Sequence, residues 1–299
     1  MKITKSLVGA FIITFFIGHA AVSPTRKIAK PVKAPEMFEK QTQLPQTVPT
    51  TDIKEVSLLE TIEEIDNWAD EEKYPFKVKL LETGDGFHGQ EVQAKNGETW
   101  MGVFEEKGEF DLRSVELRIK RVPDPIHDNK NTGKSVRTSN KKEALFLLKN
   151  ADFLREGKIR TLFDGATWPE YLNDPQKSEP DSDEVPAQLK KDFVQNYEIG
   201  GKKYALKVIE AKNKAKEKIL ALILESDGKR QILQTLNVNY NPDIGTLYWA
   251  GDLDRDQMPD FYLELFEHEN VENKVLFLSS KAEKEEFVRK VAYFWTTGC

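Results

Sequence analysis

Between Phe76 and Ser279 the apolar residues come in short runs, several with period two, separated by turns that carry glycine. Phe76-Lys77-Val78-Lys79-Leu80 and Val115-Glu116-Leu117-Arg118-Ile119 alternate apolar and polar residues. Such alternation puts one face of an extended chain in a core and the other in water. Asn96-Gly97 separates Glu91–Ala94 from Trp100–Phe104. Asn-Gly suits the positive φ needed at both centres of a tight turn, so the spacing predicts a hairpin. Gly200-Gly201 leads into Tyr204–Ile209, and Asp227-Gly228 divides Lys218–Leu224 from Gln231–Val238. Ala144–Leu148, Lys158–Phe163, Thr246–Ala250, Phe261–Phe266 and Val275–Ser279 are further expected strands. Asp164-Gly165 reads as another turn, and Asp128–Lys142 as a polar loop.

Two segments read differently. Over Asp52–Ala69, Ile53, Val56, Leu59, Ile62 and Ile65 recur at threes with glutamates between them, which predicts an amphipathic helix with Asp52 as N-cap. Glu283–Val291 reads as a short helix or a strand. The expected fold class is therefore α+β, predominantly antiparallel β-sheet with a few helices, possibly in two β-rich subdomains. The 17 Phe, 8 Tyr and 5 Trp suffice for a core, so wholesale disorder is excluded. Against 50 Asp+Glu stand 44 Lys+Arg, a formal charge of -6. With no basic excess or stripe, nucleic acid is not an expected partner. The single cysteine, Cys299, excludes an internal disulfide framework and a cysteine-cluster metal site.

The N-terminus reads as an address. Lys2 and Lys5 precede an uncharged run, Leu7–Ile17, and then the small residues of Gly18-His19-Ala20. This is the three-part pattern of a secretory signal cleaved after Ala20, placing the protein in the periplasm or outside the cell. An uncleaved anchor is the rival reading and the only one that brings in a membrane. The expected organisation is a signal peptide over residues 1–20, a Pro-rich linker over 21–51, and a helix plus β-rich half over 52–172. An acidic loop or linker follows over 173–187, then a C-terminal β-rich half over 188–299.

The stretch Gly251-Asp-Leu-Asp-Arg-Asp-Gln-Met-Pro-Asp260 carries the one constellation with chemistry in it. Counting Asp252 as position one, Asp252, Asp254, Asp256 and Asp260 fall at one, three, five and nine, and Met258 at seven offers its carbonyl. Converging carboxylates repel unless a cation sits among them, and hard oxygen ligands in this number suit Ca²⁺. The spacing resembles the Asp-rich calcium loops of FG-GAP and VCBS-type repeats and is similar to dockerin loops. The resemblance spans about fifteen residues. It implies a loop joining two strands, with side-chain oxygens from the four aspartates and the carbonyl of Met258. Two departures weaken the expected binding: Gln257 replaces the usual glycine at position six, and Leu263 the bidentate Glu at position twelve. The chain also resembles an uncharacterised family of exported bacterial proteins that end like Gly298-Cys299, which implies no activity.

Other candidates are weaker. Thr83–Glu91 is Gly-rich with His88 and Asp85 inside it, but lacks the Lys-Ser/Thr of a phosphate loop. Glu267-His268-Glu269 and His127 are read as solvated. Trp100, Trp168, Trp249 and Trp295 are either core or an aromatic platform. No Gly-x-Ser-x-Gly occurs, so a nucleophile elbow is absent. The expected function is an exported, non-enzymatic binding or scaffold protein with one structural Ca²⁺ loop, acting on a protein or glycan partner. An exported carboxylate-dependent hydrolase and a membrane-anchored envelope component are the alternatives.

Overall fold

The computed structural model describes residues 59–65, 76–124, 130–164, 187–239, 241–268 and 270–297, all within one compact unit, Val56–Cys299. Sixteen strands appear there in chain order: β1 (Lys79–Leu81), β2 (Gly84–Phe87), β3 (Thr99–Glu106), β4 (Glu109–Val122), β5 (Gly133–Thr138), β6 (Phe146–Lys149), β7 (Gly157–Asp164) and β8 (Gln188–Lys190). Then follow β9 (Val194–Ile199), β10 (Lys202–Lys212), β11 (Lys218–Ser226), β12 (Lys229–Asn237), β13 (Asp243–Asp252), β14 (Asp260–His268), β15 (Val271–Leu278) and β16 (Arg289–Thr297).

The larger sheet runs β1-β6-β3-β4-β7-β13-β14-β15-β16, with β2 joined through β5 to β4 and β8 joined to β13. Its end strands, β1 and β16, lie side by side without a ladder between them, so the sheet is nearly closed into a barrel. The second sheet, β12-β11-β10-β9, is an antiparallel meander. Its hairpins turn at Gly200-Gly201 and Asp227-Gly228, where the sequence places them.

The strands read as continuous apolar runs are buried on both faces. On β14 and β15, Tyr262 and Leu276 point into the barrel, packed with Trp249, Phe146 and Phe104. Phe261, Leu263, Val275 and Phe277 point the other way, onto Leu206, Leu220, Leu222 and Leu224 of the second sheet. β11 repeats the pattern one layer out, with Ile219, Ala221 and Ile223 on its far face.

The expected α+β class is overturned: the described residues are nearly all β and contain no α-helix, only a 3-10 turn, Ser279–Lys281. Of the helix expected over Asp52–Ala69, residues 59–65 are described, and they are not helical. Thr61 makes a parallel bridge with Lys212, and the Ile62 amide donates to the Lys212 carbonyl at 2.8 Å. Ile62 is buried on Ala211, Ile219, Ala221 and Ile223. Covering that face decides the conformation. Burying one isoleucine contributes about 2 kcal/mol, while helix propensity among ordinary residues spans only ~0.7 kcal/mol each. Glu283–Val291 forms no helix either; β16 begins within it at Arg289.

Two strand expectations also change. Glu91–Ala94 is not a strand, and β3 pairs instead with β4 and β6. The polar stretch Asp128–Lys142 contains β5, whose Val136 is fully buried beside the long β4. Among the described residues no helix is long and apolar enough to cross a membrane.

A polar knot sits among the barrel side chains of β13–β15. The Lys274 ammonium donates to Glu264 at 2.5 Å and to the Tyr248 hydroxyl at 3.1 Å, with Glu272 at 3.5 Å. The Tyr262 hydroxyl donates to Glu82 at 2.5 Å. Removal from water raises the Glu82 pKa, and the nearby Lys274 only partly offsets this. A raised folded-state pKa gives stability that is present below the unfolded value and lost as pH rises through the folded one. Glu82→Gln keeps an acceptor for Tyr262 and removes the titration. The melting temperature of this variant should therefore climb relative to the parent between pH 4 and pH 8, as followed by circular dichroism.

Candidate metal centre

β13 delivers Asp252 and β14 begins with Asp260, so one turn of seven residues separates the two acids. Gly251 sets how β13 enters the turn. A Cβ there would lie 2.1 Å from the Trp249 ring and 2.4 Å from the Arg160 carbonyl, so no side chain fits. Gly251 pairs with Asp260 across the ladder, which holds the two strand ends in register.

Within the turn, Arg255 and Gln257 both adopt left-handed φ, 65° and 66°. The Arg255 guanidinium fastens the loop to the β7 end by donating to the carbonyls of Arg155 (2.9 Å), Glu156 (3.2 Å) and Lys158 (3.0 Å). On the other side, Gly200 comes so close that a Cβ would meet the Gln257 carbonyl at 2.6 Å.

Three carboxylates converge. Asp252, Asp254 and Asp260 each place an oxygen within 4.8 Å of the others'. Oxygens sharing one Ca²⁺ at 2.3–2.6 Å are at most about 5 Å apart, so this spacing fits. Asp252 is 6% exposed and Asp260 fully buried, while Asp254 is half-buried. Asp260 is tied by donors: the Leu253 amide at 2.7 Å, the Ser279 amide at 2.8 Å and the Ser279 hydroxyl at 2.8 Å. Asp252 accepts the Gln257 amide through one oxygen at 3.2 Å, and Asp254 accepts the Ser280 hydroxyl through one of its own. The remaining oxygens, Asp252 Oδ1 and Asp254 Oδ1, are buried without a hydrogen-bond partner. Tyr197 Oη, Gln234 Oε1 and Asn273 Oδ1 are in the same state elsewhere, and what sets this pair apart is that its two oxygens belong to one converging carboxylate cluster.

The electrostatics follow from this crowding. Burial raises the pKa of Asp252 and of Asp254, with neighbouring aspartates adding to both. Burial raises Asp260 well above the ordinary carboxylate range, and the charge of Asp254 adds to it despite the three donors. A cation among the three would reverse the balance by favouring every charged form.

Of the five residues expected at this centre, the structure gathers Asp252, Asp254 and Asp260. The exposed Asp256 accepts the Met258 amide at 2.8 Å and shares with Asp260 the single proton of the Ser279 hydroxyl, at 3.0 and 3.1 Å. Leu263, at position twelve, is fully buried between the sheets. Glu264 is engaged with Tyr248 and Lys274. Ser279 and Ser280, which brace three of the acids from the end of β15, were missed. They lie nineteen or more residues away, and no local spacing marks them.

The other candidates are structural. His88 Nδ1 lies 2.9 Å from Asp124, and Asp85 pairs with Arg137 instead. Glu91 accepts the amides of His88 and Thr297, so the Gly-rich segment anchors the C-terminal strand. Trp249 is core, while Trp100 and Trp295 line one 240 Å³ cleft. Trp168, His127, Cys299 and the side chains of Glu267, His268 and Glu269 lie outside the described residues. In the comparisons with known proteins, no family model, curated protein or solved structure matches this chain.

Two outcomes are expected from variants here. Asp260→Ala strands two buried amides and should cost about 2–5 kcal/mol in urea unfolding in EDTA. Gln257→Gly relieves a left-handed side-chain residue and should stabilise by roughly 0.5–1 kcal/mol in the same measurement.

Proposed function

We propose that this chain is an exported, non-enzymatic binding or scaffold module in which one Ca²⁺ ion fastens the β13–β14 turn. The observation that carries the cation is the pair of unpartnered oxygens, Asp252 Oδ1 and Asp254 Oδ1, in a cluster of three converging carboxylates. The all-oxygen donor set suits a hard ion, and the strand–loop–strand context agrees with the FG-GAP and VCBS-type resemblance. Asp252, Asp254 and Asp260 would hold the ion, with the Met258 carbonyl and water completing its shell. With few acids and the left-handed Gln257, affinity falls in the weak range of extracellular modules, a dissociation constant of roughly 10⁻⁴ to 10⁻³ M. Export is read from Lys2, Lys5, Leu7–Ile17 and Gly18-His19-Ala20.

The ion's role is structural. Two of its ligands, Asp252 and Asp260, are buried at facing strand ends, with Asp254 between them in the turn, which serves register rather than turnover. Among the described residues, most acids lining the clefts are committed elsewhere, Glu283 and Glu286 to Arg289, Glu225 to Lys207 and Arg230, and Glu91 to backbone amides, which leaves Asp227 as a single acid and not a pair. A carboxylate-dependent hydrolase needs a free pair.

Thermal unfolding in EDTA, CaCl₂ and MgCl₂ tests the reading. A ligand at 100 times its dissociation constant stabilises the folded state by about 2.7 kcal/mol, so Ca²⁺ should raise the melting temperature by several degrees. Asp254→Asn should abolish that rise while leaving stability in EDTA equal or higher, because it removes repulsion. An unchanged melting curve in Ca²⁺ would sink the cation reading.

A further inference from the structure

We infer that the cavity where the three apolar clusters meet is a binding site for an organic anion with an apolar body, such as an acyl or aromatic carboxylate. The cavity measures about 910 Å³, within the range of small-molecule sites and far beyond a packing void. Its floor draws on all three clusters: Val78 and Val291 from the barrel side, Leu233 and Phe277 from between the sheets, and Ile232 from the outer layer. An apolar ligand body would therefore rest on a hydrocarbon floor, with polar and charged side chains around it.

Charge at the lining specifies the rest. Lys77 and Lys281 line the cavity, are exposed, and have no carboxylate partner among the described residues. The two lining acids, Glu283 and Glu286, are both spent on Arg289, at 2.9 Å for Glu286. Gln231 is likewise satisfied, since its amide donates to the Val288 carbonyl at 2.7 Å and accepts the Phe287 amide at 2.6 Å. Two ammonium groups without a carboxylate partner among the described residues thus stand at this cavity, in a protein of net charge -6. The Lys281 ammonium lies 3.9 Å from the centroid of the Phe153 ring, over its face. That aromatic face keeps it at the cavity until a carboxylate replaces the ring as its partner. Such a local inversion of charge selects anions that the rest of the surface repels. A cationic amphiphile of the same length gains the floor and loses the lysines.

The proposal goes beyond the cation reading and needs no bound metal. Its test uses the full chain and the fluorescent anion anilinonaphthalene sulfonate as probe, displaced by dodecanoate, with dodecyltrimethylammonium as control. The expected result is saturable one-site probe binding and competition by dodecanoate alone. Affinity should fall about tenfold in Lys77→Glu/Lys281→Glu, with binding compared at a temperature where circular dichroism shows both proteins folded. Absence of saturable binding, equal affinity in the double variant, or equal competition by the cationic amphiphile would overturn it.

Discussion

Strands β14 and β15 have no solvent-facing side over most of their length. Tyr262 and Leu276 belong to the barrel interior, while Leu263 and Phe277 belong to the layer between the sheets. That double burial governs what surrounds it. Polar groups entering these strands need partners within the protein, because burial without them is costly, and Asn273 Oδ1 on β15 is one that lacks a partner. Lys274 meets the requirement with Glu264, Glu272 and Tyr248. Asp260 meets it with three hydrogen-bond donors. Asp252 and Asp254 meet it only in part, each keeping one buried oxygen without a partner. The candidate metal centre is thus a consequence of where the chain leaves its most buried wall.

The same wall explains what could be read in the sequence. Alternation reports one buried face, so Val115–Ile119 announced itself, and so did hairpins closed by Gly200-Gly201 and Asp227-Gly228. The doubly buried runs Phe261–Phe266 and Val275–Leu278 were legible as strands through their length and aromatic content. Their role as a shared wall was not, because continuous hydrophobicity does not say what lies on each side. Leu59, Ile62 and Ile65 misled by their spacing, since a period of three cannot reveal an apolar face of β11 waiting to be covered. β5 was hidden because lysine and serine outweigh its one fully buried valine, although its partner β4 is the preceding strand.

At the site, the acids were legible because ligand spacing within a tight turn is a local property. Separating Asp252, Asp254 and Asp260 from Asp256 required the partner of each carboxylate. The decisive partners, Ser279 and Ser280, come from a turn after β15. That 3-10 turn continues into Lys281, which reaches the apolar cavity. Two features unrelated in sequence are therefore joined by one short segment, and whatever fixes the acids also fixes the lysine.

The measurement closest to the central claim is the stoichiometry of Ca²⁺ on the folded chain, by equilibrium dialysis with the radioactive ion titrated to saturation. The account predicts one ion per chain, and none on Asp252→Asn, which removes a ligand charge without removing an acceptor for Gln257. Retention of the ion by Asp252→Asn, or no ion on the parent chain, would contradict it and leave the three aspartates to be explained by shared protons alone.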